Sequence, residues 1–417
     1  MLGDNFLSTL VSFLLLIILV VEISMISESI WGGTDEELPE PDELILNNEM
    51  TVEQFGQVNE LPNNALKAIF GLETKTELQK KISDYGTPKE VRSLVRRKVA
   101  LVAEQSSKNW IKIVIKFIFW FGFLSAVYFY LDKNSITNEI RKGLLFASVC
   151  IFGVILGSDP GAMGTVKDAI HLFAHSGAVF VPRMIALLVF LVIVFLANKY
   201  ICAWGCQAGT LQDLIFRLNR DKDHNPVIWK QFKIPFAVTN TIRIGFFLLF
   251  TFGAFLWGAD IIDPIDIFKI YNPARIGLLG GVVIGAFLIS SLFVYRPWCH
   301  FLCPFGLISW LIEKKSVTKI RVDYEHCIAC HKCVKACPST VMSAILYKDK
   351  KTIPDCFACY TCEQVCPTGA VQFSRGKRTQ PPPDLFQTVT IDSEPQSSSE
   401  ILENDKHNAP DFSEYSF

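Results

Sequence analysis

The chain has 417 residues and a formal net charge of −1; half of the residues are apolar and the mean hydropathy is +0.31. That length accommodates two or three domains, and the hydropathy leans towards a membrane protein. The near balance of 40 basic and 41 acidic residues removes any electrostatic case for nucleic acid.

Six segments predict membrane helices, near 6–24, 110–131, 142–157, 180–199, 236–257 and 277–295, since a helix needs roughly 20 apolar residues to cross a bilayer. Residues 1–26 read as an N-terminal membrane anchor, with a cleaved signal as the alternative. The stretch lacks a basic start and is followed by Ser27-Glu28-Ser29 instead of a small-residue cleavage site. Residues 27–109 predict a small extracytoplasmic helical region behind an acidic linker from Asp35 to Glu43. Thr51 to Gln54 and Thr87 to Glu90 predict capping boxes, the second with Pro88 in its first turn. Gly71 and Gly86 predict helix stops. This region reads as a docking or bracing element.

Residues 110–312 predict the membrane domain. Lys112 and Lys116, four apart in the second helix, are expected to snorkel towards the outer surface. The third segment is short and predicts a re-entrant turn at Gly157 to Gly161. His171 and His175 share a helix face near the outer end of the fourth helix. A satisfied pair is the plain expectation; quinol chemistry or haem ligation are the alternatives. Lys167 and Asp168 read as caps, Asp159 and Asp263 as Asp-Pro turns, and Cys150 as core packing.

Flanking charge predicts orientation. Lys199, Arg217, Arg220, Lys222, Lys230 and Lys233 follow the fourth helix, and Arg296, Lys314 and Lys315 follow the sixth. The loop between them sets Lys269 and Arg275 against Asp260, Asp263 and Asp266. A multi-pass protein of the inner (cytoplasmic) membrane follows, with everything after the sixth helix cytoplasmic. Arg96, Arg97, Lys98 and Lys108 before the second helix disagree, but they belong to a long loop.

The membrane domain reads as duplicated. Cys202-Ala-Trp-Gly-Cys206-Gln-Ala-Gly209 and Cys299-His-Phe-Leu-Cys303-Pro-Phe-Gly306 lie 97 residues apart. At the same shift Lys199 meets Arg296, Leu211 meets Ile308, Leu214 meets Leu311 and Arg217 meets Lys314. Two copies running the same way predict a pseudo-twofold axis along the membrane normal. C-x3-C on a continuous helix places both sulfurs on one face. Cys202, Cys206, Cys299 and Cys303 are therefore a candidate additional redox or metal site. A thiol relay and plain packing are the other readings.

The most specific signal stands near the C-terminus. Cys327, Cys330, Cys333 and Cys337-Pro338 form C-x2-C-x2-C-x3-C-P, and Cys356, Cys359, Cys362 and Cys366-Pro367 repeat it. This is the ligand pattern of two [4Fe–4S] clusters, each completed by the fourth cysteine of the other motif. Cys327, Cys330, Cys333 and Cys366 are thus expected around one cluster. Cys337, Cys356, Cys359 and Cys362 are expected around the other. Cys327 to His331 also spells a c-type haem motif, but its cysteines are already required in the cluster run. The ferredoxin domain is placed at 313–376. Residues 377–417, with Pro381 to Pro383 and Ser397 to Ser399, predict a disordered tail.

The double motif resembles the bacterial two-cluster ferredoxins over about fifty residues. Over roughly 140–375 the chain is similar to a family of polytopic membrane ferredoxins with paired C-x3-C-P motifs. That family includes the membrane ferredoxin subunit of quinol-dehydrogenase modules serving periplasmic nitrate reductase. It also includes membrane regulators of nitrous oxide reductase and assembly proteins of certain haem–copper oxidases. Cys299 to Gly306 fits its motif, whereas Gln207 stands where the family usually has proline. With no flavin-attachment motif in the outer region and no immunoglobulin-like extension in this sequence, electron-transfer subunits are the nearer expectation.

The expected fold is mainly α: a polytopic protein of about six transmembrane helices with a C-terminal α+β two-[4Fe–4S] ferredoxin domain. The expected role is electron relay between quinone or quinol in the bilayer and a partner oxidoreductase subunit, with no stand-alone catalytic residue. Delivery of electrons to metalloenzyme maturation is the alternative, and a redox sensor is a third reading without a visible output domain.

Overall fold

The computed structural model describes residues 2–31, 44–47, 49–132, 136–221, 224, 226–348 and 353–386. Asp35 to Glu43 and most of the predicted tail lie outside them. The described chain is mostly helical, with one two-stranded sheet.

Three helices are long and apolar enough to cross a membrane: α1 (Leu2–Trp31), α5 (Trp110–Asp132) and α11 (Phe236–Trp257), treated below in their places. Only 22% of each apolar window is buried inside the protein. The remaining apolar surface faces outward, a placement that lipid rewards and water penalises. The chain is membrane-bound.

Between α1 and α5 lie α2 (Val52–Val58), α3 (Asn63–Phe70) and α4 (Pro88–Ser106). The first capping box closes as its sequence predicts: Gln54 N–H donates to Thr51 Oγ1 at 3.2 Å and Thr51 N–H to Gln54 Oε1 at 3.0 Å. Gly71 ends α3 in the left-handed region at φ 68°, where glycine carries no Cβ penalty. Val52, Phe55, Leu66, Ile82 and Val95 form the small core of this unit. It is pinned to the membrane core where Arg183 meets Glu104 at 2.6 Å and Lys108 meets Asp159 at 2.5 Å.

The segment at 142–157 is not a simple span. α6 (Asn138–Ser148) runs into a π-helical stretch, Val149–Ile155, whose Val149, Phe152 and Val154 are buried in the core. α7 (Ala162–Ser176) then forms a helix of its own, carrying His171 and His175, ahead of α8 (Val181–Ala197). The histidines therefore do not belong to the fourth apolar segment; Gly177 in the left-handed region separates the two helices. Their rings stack at 5.8 Å. Lys167 does not cap a helix either. It sits among Asp266 at 3.1 Å, Asp168 at 3.4 Å, Asp260 at 3.7 Å and Asp263 at 3.8 Å, tying α7 to the loop that follows α11.

α9 (Tyr200–Trp204) and α10 (Gln207–Leu218) follow α8, then α11. The second copy is α12 (Leu278–Ser290), α13 (Pro297–Phe301) and α14 (Pro304–Glu313). Each helix of this second trio starts 97 residues after its counterpart in the first. α8 and α12 have 17 and 13 residues. At 1.5 Å per residue they rise roughly 25 and 20 Å, short of a hydrocarbon core of about 30 Å.

C-x3-C does not lie on one continuous helical turn. Each helix breaks between its cysteines: α9 stops at Gly205 and α13 at Leu302, and Cys206 and Cys303 stand as extended N-caps of α10 and α14. The first copy breaks in the same place with Gln207 where the second has Pro304. In both copies a glycine three residues past the second cysteine packs on the first cysteine's carbonyl. A Cβ on Gly209 would sit 2.6 Å from Cys202 O, and one on Gly306 3.0 Å from Cys299 O.

The last unit pairs β1 (Thr318–Val322) antiparallel with β2 (Val371–Arg375), from Thr318↔Arg375 to Val322↔Val371. α15 (Lys332–Ala336), α16 (Val341–Tyr347) and α17 (Thr361–Gln364) lie between them. Ile320, Val322, Met342, Ile345, Leu346 and Val371 form its core with Cys333, Cys337, Cys356 and Cys362.

Candidate metal centres

The two cysteine runs wind in the same way. Ala329 and His331 flank Cys330 at φ 53° each, and Ala358 and Tyr360 flank Cys359 at φ 50° and 62°. Non-glycine residues adopt this left-handed conformation at a cost. Here it curls the loop so that backbone N–H groups meet sulfur: Ala329 N–H bonds Cys327, Ala358 N–H bonds Cys356, and Ser339 and Met342 N–H bond Cys337.

The result is two cavities, each ringed by four cysteines. One, of about 330 Å³, is lined by Cys327, Cys330, Cys333 and Cys366. The other, of about 380 Å³, is lined by Cys337, Cys356, Cys359 and Cys362. In each, three sulfurs come from one motif and the fourth from the other. None of the thirteen cysteines is in a disulfide. Among the described residues no three His, Cys, Asp or Glu side chains converge on a single ion. A cubane instead wants its sulfurs spread around the corners of a larger core, so the donor set fits [4Fe–4S].

The thiols are poised unevenly. Burial pushes Cys333 up to about 12, helped by Cys366, Cys327 and Cys330, and burial also raises Cys337 and Cys362. At Cys366 burial is outweighed by N–H groups of Val371, Thr368 and Ala370 and the Thr368 hydroxyl, which hold its thiol below the usual range. Crowded buried thiols of this kind await a cationic core to neutralise them.

The C-x3-C sulfurs come together as well. Cys202 and Cys299 are buried and Cys206 and Cys303 half-buried, near enough between the two copies for their charges to interact. Cys303 Sγ accepts from Gly306 N–H at 3.3 Å, and Cys299 Sγ lies 3.8 Å from Gln212 Oε1. The basic residues ahead of each motif cross over. Lys199 donates to Gly306 O of the second copy at 2.9 Å, and Arg296 donates to Cys202 O and, at 2.9 Å, to Ala203 O of the first. Lys199 and Arg296 are fully buried, as are Arg217 and Arg220 nearly so. Four of the cations that suggested a cytoplasmic surface are therefore internal; Lys230, Lys314 and Lys315 remain exposed.

Spacing alone did not expose the anions that pair with these cations. Asp213 binds Arg296 and Arg217 at 2.7 and 2.9 Å. Asp355, directly before Cys356, binds Lys199 and, at 2.7 Å, Arg243. Burial opposes the Asp355 charge, yet Lys199 and Arg243 hold its carboxyl well below the usual carboxylate range. Next to it Phe357 packs edge-on against His300 at 5.0 Å and Tyr295 at 6.0 Å, under Lys199 at 5.2 Å. A residue inside a ferredoxin motif thus touches one inside the second C-x3-C.

A third cavity, of about 350 Å³, abuts Cys206. Phe117, Trp120, Phe190 and Ile201 give it aromatic and aliphatic walls, and Lys116 stands at its edge. Lys116 does not snorkel: it is 4% exposed and donates to Gly157 O at 2.7 Å and Asp159 O at 3.2 Å.

Known proteins match these same regions. A family described as a 4Fe-4S dicluster domain matches residues 320–373. A second, described as a 4Fe-4S binding domain, matches twice, at 179–226 and 276–323, once per C-x3-C copy. YccM of Escherichia coli strain K12, whose name assigns it provisionally to electron transport, is 30% identical over 55% of this chain and 62% of its own length. The ferredoxin-type protein NapH of the same strain is 26% identical over 48% of this chain and 65% of its own. The methylamine utilization ferredoxin-type protein MauN of Methylorubrum extorquens is 24% identical over 46% and 64%. The chain spans under two thirds of the length of these three relatives. No solved structure matches it at a significant level. The cysteine-ringed cavities, the apolar helices and these relatives together support a membrane-type [4Fe–4S] ferredoxin family.

Proposed function

We propose that this chain is a multi-pass protein of the inner membrane that relays electrons between the quinone pool and a partner oxidoreductase. Two [4Fe–4S] clusters would be held by Cys327, Cys330, Cys333 and Cys366, and by Cys337, Cys356, Cys359 and Cys362. Such clusters carry one electron at a time, at potentials set by hydrogen bonds to sulfur, burial and nearby charge. Cys202, Cys206, Cys299 and Cys303 are a further sulfur-ligated centre between them and the bilayer. The units run as a 1–26 anchor, a 27–109 outer region, a 110–312 membrane domain of about six crossings and a cytoplasmic 313–376 ferredoxin.

The observation that carries this reading is the packing of Phe357 on His300. It puts the Cys337/Cys356/Cys359/Cys362 cavity against the membrane motif and leaves the other cavity distal. The residues order the path. The cavity beside Cys206, walled by Phe117, Trp120 and Phe190, marks the side on which a quinone headgroup would approach this centre. Lys199, Arg243 and Asp355 clamp the ferredoxin onto the C-x3-C loops, which fixes the separation of the centres. Cys330 and Ile328 are exposed at the far end, where a partner subunit would meet the distal centre.

The test is iron and acid-labile sulfide analysis joined to an EPR-monitored titration in membranes with added quinol. Two cubanes give about eight irons per chain and a third centre more, by the four irons of each cubane. Quinol that reduces the signals supports the relay. Signals indifferent to quinol, with loss of metal from a partner enzyme on serine replacement of the four membrane cysteines, would instead favour a maturation role.

A further inference from the structure

Arg141 is buried in α6 at 1% exposure, and among the described residues no carboxylate forms an ion pair with it. Asp213 binds Arg217 and Arg296 instead. The helix that carries Arg141 is fixed at both ends. Ser148 Oγ donates to the Trp204 carbonyl at 2.9 Å, and Gln364 Nε2 donates to Ile136 O, just ahead of the helix, at 2.5 Å. The guanidinium is thereby held between two cysteine motifs. It lies 5.7 Å from the ring centre of Trp204, inside the first C-x3-C. Its Nη1 donates at 2.5 Å to Thr361 Oγ1, inside the second ferredoxin motif.

Thr361 stands between Cys359 and Cys362, and Arg217 Nη2 donates to the same hydroxyl oxygen at 3.3 Å. A hydroxyl has two lone pairs and one proton. The two arginines take the lone pairs, which leaves the proton to donate, and Cys359 Sγ lies 3.5 Å away. A sulfur that accepts there is a thiolate or a cluster ligand, with no proton of its own to offer. Arg141 and Cys359 are also near enough for their charges to interact. The other motif has Lys332 at the position of Thr361, exposed to water. Burying an unpaired guanidinium is costly, and an iron–sulfur core with four thiolates carries the net negative charge that offsets it.

We propose that Arg141 is the counter-charge of the cluster at Cys337, Cys356, Cys359 and Cys362, and that with Thr361 it raises the potential at which that centre takes an electron. Arg141 is a positioning residue and not a ligand: it acts through its charge and through the hydroxyl it orients. The inference rests on the cluster assignment above, and not on quinol as the donor. One electron enters and no bond is made or broken. The added negative charge meets a cation already in place and a hydrogen bond to sulfur that strengthens as the sulfur gains electron density. The distal cluster, with Lys332 in water, gains no such stabilisation.

The test is an EPR-monitored redox titration with dithionite on the full chain in detergent, with loading checked by iron and acid-labile sulfide. Cys366→Ser and Cys337→Ser tell the two signals apart. Arg141→Met removes the charge at similar length. It is expected to lower the reduction equilibrium constant of the Cys337/Cys356/Cys359/Cys362 signal at least tenfold, about 59 mV for one electron, with the distal midpoint at its parental value. Arg141→Lys keeps the charge and should recover more than half of that shift. Thr361→Val removes the hydroxyl at nearly constant shape and should lower the same midpoint by less, with rescue by Thr361→Ser. A role in packing alone would leave the midpoints of loaded protein parental. Parental midpoints in Arg141→Met and Thr361→Val, or an equal shift at both clusters, overturn the inference and leave the cluster assignment standing. Should Arg141→Met fail to load, Thr361→Val against Thr361→Ser decides, and equal midpoints in those two overturn it. If the parent shows no pair of one-electron signals, the assignment and the inference both fall.

Discussion

Asp355 is the residue on which the two halves of the molecule meet. Its carboxylate is 1% exposed and faces two buried cations, Lys199 and Arg243, each of which also holds a carbonyl of the second C-x3-C motif. Removing one partner of a buried ion pair leaves the rest uncompensated, at a cost of about 3–5 kcal/mol. Asp355→Ala should lower stability by that order, read by thermal unfolding in detergent; an unchanged midpoint would mean the clamp is not formed. None of this was legible from the sequence. Lys199 and Arg296 were visible as a matched pair, but a sequence gives spacing and not the partner 156 positions away. His224 gives a pH signature on the same side. Burial, then Arg217 and Arg141, lower it from the ordinary 6.5 to about 3. Above pH 6.5 the histidine is neutral folded or unfolded and costs nothing. Between 6.5 and about 3 only the unfolded chain takes the proton, so stability falls as pH falls, by at most about 1.4 kcal/mol per pH unit. His224→Gln should flatten that part of the stability–pH curve; a curve of unchanged slope would show the imidazole to be solvated.

At the level of elements, the duplication was readable because helix starts and cysteines keep one interval, and that interval reappears in the paired α8–α9–α10 and α12–α13–α14. The break inside C-x3-C was not readable. Residues four apart suit a continuous helix as well as a bent one, and Gln207 offers no proline signal in the first copy. What marks the break is Gly209 and Gly306, where the second helix starts against the carbonyl that ends the first. Their tolerance differs. Alanine at 209 brings a Cβ to 2.6 Å from backbone, a clash that only a shift of the helix relieves, whereas at 306 the approach is 3.0 Å. Overpacking of this kind costs typically 1–3 kcal/mol. Gly209→Ala is expected near the upper end and Gly306→Ala near the lower, compared by unfolding temperature in one detergent. Equal losses would mean that the two copies are not packed as described. The segment 142–157 is apolar enough to suggest a span, and what its composition did not show is that Val149, Phe152 and Val154 lie buried in a π-helical stretch.

For the whole molecule, the arrangement of cavities turns a crossed ligand set into an order of electron transfer. The C-terminal motifs were the most legible part of the sequence because thiolate spacing is dictated by the cubane itself. Their placement against the membrane domain was not, since it depends on Phe357 meeting His300 across separate units. The two fourth cysteines, Cys337 and Cys366, separate the possibilities. Cys337→Ser removes a sulfur from the cavity next to the membrane motif, although Cys337 stands in the first motif. Cys366→Ser removes one from the distal cavity, although it stands in the second. EPR of quinol-treated membranes should therefore retain one quinol-reducible cluster signal in Cys366→Ser. In Cys337→Ser the surviving distal signal should respond to dithionite but at least tenfold more slowly to quinol, because its neighbour on the path is gone. The reverse pattern would mean that each motif feeds its own cluster, or that the distal cavity faces the bilayer. Either outcome would undo the proposed order of electron transfer through the two centres.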